Sequence, residues 1–436
     1  FGDMDRWVMQ HSKSWDDKFK SCAGHSAKVV CSLSGPAHPT WPAALLALWK
    51  CGATVVLLPS VSNQQREAIE RTAGAQWRLD GNARGQWHLS QLSNPPVELP
   101  WAADLLKVTS GSTGLARLIA FTASQLRADA SQILQCMGIR PEDRNLGVIP
   151  FSHSYGLSNL ITPLLFFGVP LVCSPDPLPR AIFSALEQSK ATVWPAVPAM
   201  FPPLLQAGFS GTPNLRTVIS AGAPLPSSLA HNFQIQTGIP IHSFYGSSEC
   251  GGICYDAEGW AAEIDGWVGN PMPAAQVQEI PMGGGNVGFQ IRGEAVGLGC
   301  FPRDGADALR EGIFSPADIL QPLDGGYLLV GRMDDVANIG GRKVHPAEIE
   351  SALSRMVGVN AAVVCKVAGR SGDELLAVIE TTKPAEISQL RRTASDYLPT
   401  WQIPRHWQLV GKLPVNERGK INRQELAEMW ISGKLT

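Results

Sequence analysis

The sequence predicts an α/β fold. It is read as a large N-terminal domain of parallel-rich sheets with helices plus a small β subdomain, followed by a small α+β C-terminal domain. Three observations predict this. From about residue 28, apolar strand-like runs alternate with helical patterns, the rhythm of βαβ units in a parallel sheet. Three of these runs end in polar, glycine-containing loops. After about residue 255 the texture shifts to short glycine-rich strands, and from 335 a compact helix-and-strand tail begins.

The elements follow in order. KVVCSL (28–33) reads as a strand, WPAALLALWKCGA (41–53) as a helix and TVVLLP (54–59) as a strand. The pattern continues with RNLGVIP as strand, LSNLITPLLFFG as helix, VPLVCS as strand, AIFSALEQS as helix and ATVWPA as strand. LRTVISAG and IPIHSFYG read as strands ending in turns. GWVGNPMPA, NVGFQIRG and GYLLVGR make up the small β subdomain. In the tail, HPAEIESALSRM has Pro346 near its start, with Ile349, Leu353 and Met356 on one apolar face. Strands AAVVCKV and LLAVIET and a helix, ISQLRRTASDYL, complete it. About 100 residues suffice for a domain of its own.

Composition excludes several classes. The chain has 436 residues, 44% hydrophobic and 17% charged, which suits two or three globular domains. A net charge of −2 gives no basic surface, so nucleic acid and anionic membrane are not expected partners. The longest apolar runs, such as AALLALW (43–49), are too short to span a bilayer. The first twenty residues are polar and lack a signal-type apolar core, and the chain does not begin with Met, so a trimmed N-terminus is expected. Nine scattered cysteines, with Cys250 and Cys254 completing no zinc pattern, fit reduced thiols in a cytoplasm.

The most telling short stretch is Thr109-Ser110-Gly111-Ser112-Thr113-Gly114, four hydroxyls and two glycines in six positions. Glycines let successive N–H groups converge, and hydroxyls add donors, which together suit an oxygen-rich anion such as phosphate. Alone, the stretch also reads as a solvated turn. It is neither a P-loop, lacking the Gly-Lys-Ser/Thr spacing, nor a dinucleotide fingerprint.

In context, VTSGSTGLAR (108–117), SAGAPLP (220–226), FYGSSE (244–249), YLLVGRMDDVANIGGRKVHPAEIE (327–350) and LPVNERGKINRQEL (413–426) resemble, in order, the motifs of the adenylate-forming superfamily. That superfamily comprises acyl- and aryl-CoA ligases, peptide-synthetase adenylation domains and firefly luciferase. The resemblance implies an adenylation domain over 1–333 and a mobile C-terminal domain over 334–436. It implies two half-reactions: a carboxylate attacks the α-phosphate of ATP to give acyl-adenylate and pyrophosphate, then a thiol, usually of coenzyme A, displaces AMP. It further implies that some of the first subdomain is absent here.

Residue roles carry over as follows. Thr109, Ser110, Gly111, Ser112, Thr113 and Gly114 would hold the β- and γ-phosphates of ATP, with Arg117 where the family usually has Lys. Tyr245 would stack on adenine, with Gly222, Ala223 and Pro224 on the other side and Gly246 and Ser248 in the same motif. Ser248 replaces the usual Thr and keeps the hydroxyl. Glu249 would coordinate Mg²⁺. Asp318, in Pro316-Ala317-Asp318 rather than Thr-Gly-Asp, would bind the ribose hydroxyls, and Arg332 would meet ribose or phosphate. Asp334 would be the hinge. Lys420 would be the catalytic cation of the first half-reaction, stabilising charge on the attacking and bridging oxygens. Gly341 would leave room for pantetheine and Lys343 would help hold the CoA nucleotide, with Asn338 standing where many relatives have Lys.

On the substrate side, Pro150-Phe151-Ser152-His153-Ser154-Tyr155-Gly156 resembles the acyl-pocket segment, and His153 would lie near the carboxylate or gate the thiol channel. No acid stands between 150 and 160 to pair with an α-ammonium, so an amino-acid substrate is not expected. Phe151, Tyr155, Trp194, Gly251 and Gly252 suggest an apolar pocket for a fatty, branched or aryl acid. An acyl carrier protein in place of coenzyme A, and a non-catalytic adenylate-binding protein, are the alternatives. Oligomeric state stays open.

Overall fold

The computed structural model describes residues 2–22, 28–110, 116–174, 176–283, 285–303, 308–310, 312–339, 342–369, 372–381, 386–414 and 421–435. Two compact units emerge: Phe1–Glu279 with Phe289–Ser315, and Ile280–Gly288 with Pro316–Thr436.

In the first unit, one sheet runs in the spatial order Gly299–Phe301, Ala116–Phe121, Leu105–Ser110, Thr54–Leu57, Val30–Ser34, Trp77–Gly81 and Trp87–Gln91. Its centre is parallel: Val30–Ser34 pairs with Thr54–Leu57 and Trp77–Gly81, and Thr54–Leu57 with Leu105–Ser110. Every residue of Val30–Ser34 and Thr54–Leu57 is buried, as expected for parallel strands covered on both faces. The margins are antiparallel. Helix Thr40–Lys50 connects the first two strands and buries Trp41, Leu45 and Leu48. Helix Asn63–Ala73 begins at a Ser62/Gln65 capping box and stops at left-handed Gly74.

A second sheet contains, in spatial order, Leu171–Cys173, Asn145–Gly147, Val193–Ala196, Thr217–Ser220, Ile241–Ser247, Gly251–Tyr255 and Trp267–Pro271. The first five are parallel and the last two pair antiparallel. Below it, fully buried Trp194 is ringed by Phe201, Phe209 and Phe233 at centroid distances of 5.3, 6.4 and 6.4 Å. Trp194 is therefore core, not a pocket wall: its strand position points it into this aromatic cluster.

Two elements differ from the sequence expectation. The polar start forms a helix, Gly2–Cys22, whose buried stripe is Val8, Ser12, Trp15 and Phe19 at helical spacing. Segment 157–168 is not one α-helix but a π turn, Leu157–Ile161, running into α-helix Thr162–Phe167. Pro163 has no N–H to donate back along the helix. The carbonyl of Asn159 instead accepts from Asn145 Nδ2 at 3.1 Å, and Thr162 Oγ1 donates to the carbonyls of Leu157 and Ser158, both at 3.1 Å.

The second unit is built on Ala361–Gly369 and Gly372–Glu380, antiparallel, with His406–Val410 parallel to the latter. Alternate side chains serve two faces. Ile349, Leu353 and Met356 pack with Leu390 and Ala394 on one side, and Leu426 and Ala427 cover the other. Two hairpins accompany this sheet: Asp318–Leu323 with Gly326–Arg332, and Ala337–Ile339 with Arg342–Val344. Among the described residues no helix is long and apolar enough to cross a membrane.

Asp256, 1% exposed, holds the turn after the second sheet's antiparallel margin. Its carboxylate accepts the N–H groups of Gly259, Trp260 and Ala261 and the Trp267 indole N–H, all at 3.0 Å. Asp256→Ala leaves four donors, three of them buried, without this acceptor and is expected to cost about 3 kcal/mol. A lowered urea midpoint followed by tryptophan fluorescence checks this; a midpoint within error of wild type would refute it.

Candidate active site

Parallel pairing aligns the carboxyl ends of four strands in the second sheet. Ala196 lies opposite Ser220, and Ser220 opposite Ser243. The loops that leave these ends therefore share one edge: 148–156 after Asn145–Gly147, Gly222-Ala223-Pro224 after Thr217–Ser220, and Tyr245–Glu249 at the end of Ile241–Ser247. That edge is where open α/β sheets bind ligands. Gly222 adopts φ +87°, a left-handed conformation that suits glycine and turns the chain out of its strand.

Tyr245 is half-buried, opposite Cys254, and a bulge follows it at Gly246. A Cβ at Gly246 would sit 2.6 Å from the carbonyl oxygen of Gly251, so no side chain fits. Ser154 Oγ donates to Ser248 Oγ at 2.8 Å, which joins the 150–156 segment to the Tyr245–Glu249 motif. Ser247 Oγ accepts the N–H groups of Glu249 at 3.2 Å and Cys250 at 3.3 Å, and the Glu249 carbonyl accepts from Gly297 N–H at 2.8 Å. The Glu249 backbone is thus held on both sides. Its carboxylate is partly exposed, a hard oxygen donor of the kind Mg²⁺ takes together with phosphate oxygens. Among the described residues no cluster of three His, Cys, Asp or Glu could hold a metal without such added ligands.

His153 caps the Ser154–Gly156 turn, its Nδ1 accepting Tyr155 N–H at 3.2 Å. The neutral ring then carries its hydrogen on Nε2. Tyr155 is buried, with its hydroxyl donating to the Ile219 carbonyl at 3.3 Å, and Phe151 is buried against Trp41. Gly252 is closely backed by Met272 and Phe244, so it is a packing glycine in this conformation.

Thr109, next to last in the strand Leu105–Ser110, pairs with Arg117 and donates through Oγ1 to the Arg117 carbonyl at 3.5 Å. Gly111, Ser112, Thr113 and Gly114 lie outside the described residues, as does the Ser110 side chain. In the second unit, Asp318 and Arg332 are cross-strand partners at the open end of their hairpin, with Arg332 Nη1 3.3 Å from Asp318 Oδ1. The structure thus brings together two residues assigned separately to the ribose region. Lys343 pairs with Asn338, while Gly341, Lys420 and the side chains of Asp334 and Lys343 lie outside the described residues. Just beyond Lys420, Asn422 caps helix Arg423–Ile431 through the N–H groups of Gln424 and Glu425. Arg423 grips Glu350 with two nitrogens, at 2.8 and 3.1 Å, and Asp335 with a third at 2.9 Å. Sequence reasoning missed this anchor, although its Arg stands inside the terminal motif. It also missed the contacts of Ser154 with Ser248 and of Asp129 with Gly252, which join residues 94 and 123 positions apart.

The family model of the AMP-binding enzyme matches residues 64–280. A feruloyl-CoA synthase from Amycolatopsis sp. is 28% identical over 441 residues, covering 90% of this chain and 87% of that protein. A 3,4-dihydroxybenzoate–[aryl-carrier protein] ligase from Bacillus anthracis is 25% identical, covering 74% of this chain and 73% of that protein. Among solved structures, an o-succinylbenzoate CoA synthetase from Bacillus subtilis in complex with its acyl-adenylate superposes with a TM-score of 0.82 at 21% identity, covering 96% and 92% of the two chains. Residues 64–280 carry an AMP-binding enzyme domain. The chain is an AMP-forming acid–thiol ligase.

Gly246→Ala is expected to force the two strands apart at the bulge, a strain of about 1–3 kcal/mol. Calorimetric titration should show ATP affinity at least tenfold weaker; unchanged affinity would remove Gly246 from the site.

Proposed function

We propose that this enzyme activates an aromatic carboxylic acid with Mg·ATP, releases pyrophosphate, and passes the acyl group from the adenylate to coenzyme A. The observation that carries the reading is the shared sheet edge, where the 150–156, 222–224 and 245–249 loops converge and Ser154 bonds Ser248. The aryl preference draws on relatives named for feruloyl, 3-hydroxybenzoate and 3,4-dihydroxybenzoate substrates. The absence of an acid in 150–160 agrees with a substrate that has no α-ammonium.

In this reading Tyr245 stacks on adenine against the Gly222–Pro224 backbone, and Thr109 to Gly114 hold the β- and γ-phosphates. Glu249 holds Mg²⁺, which supplies charge neutralisation on the phosphate oxygens. The planar hydrogen-bonding end of Asp318, steadied by Arg332, accepts from the ribose hydroxyls. His153 orients the substrate carboxylate, and Lys420 stabilises negative charge as that carboxylate attacks the α-phosphate. Gly341 and Lys343 serve the thiol step, and Asp334 is the proposed hinge. The carrier-protein ligase among the relatives supports a second reading in which the acceptor is a carrier-bound pantetheine.

The test is pyrophosphate release with Mg·ATP and a panel of aryl and fatty acids, with and without coenzyme A. Aryl acids should support release, and coenzyme A should convert a single turnover into many. A stall after one equivalent, relieved only by a holo carrier protein, would select the second reading. No release with any acid would sink both. Lys420→Ala should lose about 10²-fold or more of adenylation. It should still thioesterify supplied acyl-adenylate, and normal adenylation would overturn the assignment. Glu249→Gln should raise the Mg²⁺ concentration needed for half-maximal rate about tenfold, as expected for losing one charge-assisted contact.

A further inference from the structure

A carboxylate and an ammonium lie buried beneath the turn that bears Glu249. Asp129 is 3% and Lys107 2% exposed. Charged groups are rarely placed so without partners. Asp129 sits on helix Ala123–Cys136, whose start is set by a Thr122/Gln125 capping box. Its Oδ1 accepts Gly252 N–H at 3.0 Å and Gln132 Nε2 at 3.3 Å, and its Oδ2 accepts the Ser158 hydroxyl at 2.6 Å. Gln132 Nε2 also donates to the Gly252 carbonyl at 3.1 Å, so one helix holds Gly252 by both backbone groups. Gly251 adopts φ +72°, and a Cβ there would stand 2.1 Å from Asp129 Oδ1. The turn is pressed onto the carboxylate with no room for a side chain.

The other end of the same turn is held by Ser154 on Ser248. Ser154 and Ser158 are four residues apart in one short helical segment, through the π turn. A closed path of contacts therefore runs from Ser248 to Ser154, along the backbone to Ser158, to Asp129 and back to Gly252. Glu249 lies inside that path. Lys107 Nζ sits 4.1 Å from the Phe121 ring centroid. Burial holds its ammonium below the usual lysine range, while the charge of Asp129 works against that shift.

We propose that Asp129 is a positioning residue for the metal-binding step: it clamps Gly252 and, through Ser158, locks the Glu249 turn to the 150–156 segment. This rests on the assignment of Glu249 to magnesium. The two tethers fix where the carboxylate stands before Mg·ATP arrives, so less ordering is needed on binding.

The experiment compares wild type, Asp129→Asn and Ser158→Ala by amide hydrogen exchange and by calorimetric titration of Mg·ATP and of AMP alone. Ser158→Ala removes one hydroxyl and no charge, which keeps the test usable if Asp129→Asn folds poorly. Both variants should exchange faster over 247–252 than wild type, with the strands Val30–Ser34 and Thr217–Ser220 unchanged. Mg·ATP affinity should fall about tenfold, the loss expected for one hydrogen bond to a charged group, and AMP affinity less than threefold. Unchanged exchange and unchanged Mg·ATP affinity would overturn the proposal. So would equal losses for Mg·ATP and AMP with faster exchange throughout, which is what a merely structural carboxylate predicts. If wild type releases no pyrophosphate with any acid, the proposed function falls, and the exchange of 247–252 still decides the clamp.

Discussion

The parallel register of the second sheet is the constraint on which the site depends. Ala196 lies opposite Ser220 and Ser220 opposite Ser243, so two strands end beside a third that runs on in the same direction to Ser247. Parallel pairing makes every one of those ends a carboxyl end, so the chain must leave the sheet on the same side each time. Loops separated by about ninety residues then share one edge, and a single hydroxyl pair, Ser154 with Ser248, can join them. An antiparallel sheet of the same strands would scatter them to both edges.

Glycine makes the close approaches at that edge possible. Gly246 pairs with Gly252 across the bulge, and a Cβ at Gly246 or Gly251 would strike backbone or the Asp129 carboxylate. Asp129 and Asp256 show the same device at two depths. Each is a buried carboxylate held by several N–H or O–H donors, those of Asp129 coming from Gly252, Gln132 and Ser158 and those of Asp256 from its own turn and Trp267, which converts a costly charge into a fixed local geometry. One turn bears Glu249, and the other follows the strand that backs it.

The second unit solves its own anchoring problem with charge. Arg423 spends all three guanidinium nitrogens on Glu350 and Asp335, and Glu350 also accepts the Val364 N–H at 2.7 Å. A lysine would offer one point charge where this geometry uses a planar fork. The terminal motif therefore ends in a capped helix tied back to the helix Pro346–Ser354.

What the sequence by itself determined is local or ordered along the chain. Periodicity placed the βαβ strands, the Pro346 helix and its Ile349–Leu353–Met356 face, because burial on one or both faces leaves a repeat in the residues themselves. The order of five motifs carried the family, and Glu249, Tyr245 and Lys420 were legible as motif members. Contacts between distant residues were decided only by the tertiary structure. Ser154, Asp129 and the Arg423 fork are common residue types whose meaning comes from distant partners: Ser248 lies 94 positions from Ser154, Gly252 lies 123 from Asp129, and Glu350 and Asp335 lie 73 and 88 from Arg423. Trp194 looked like a pocket wall until its strand position turned it into the aromatic core, and one proline turned an expected α-helix into a π turn. Which face a side chain takes, and which loop it meets there, is fixed by sheet pairing, and pairing is a property of the folded chain.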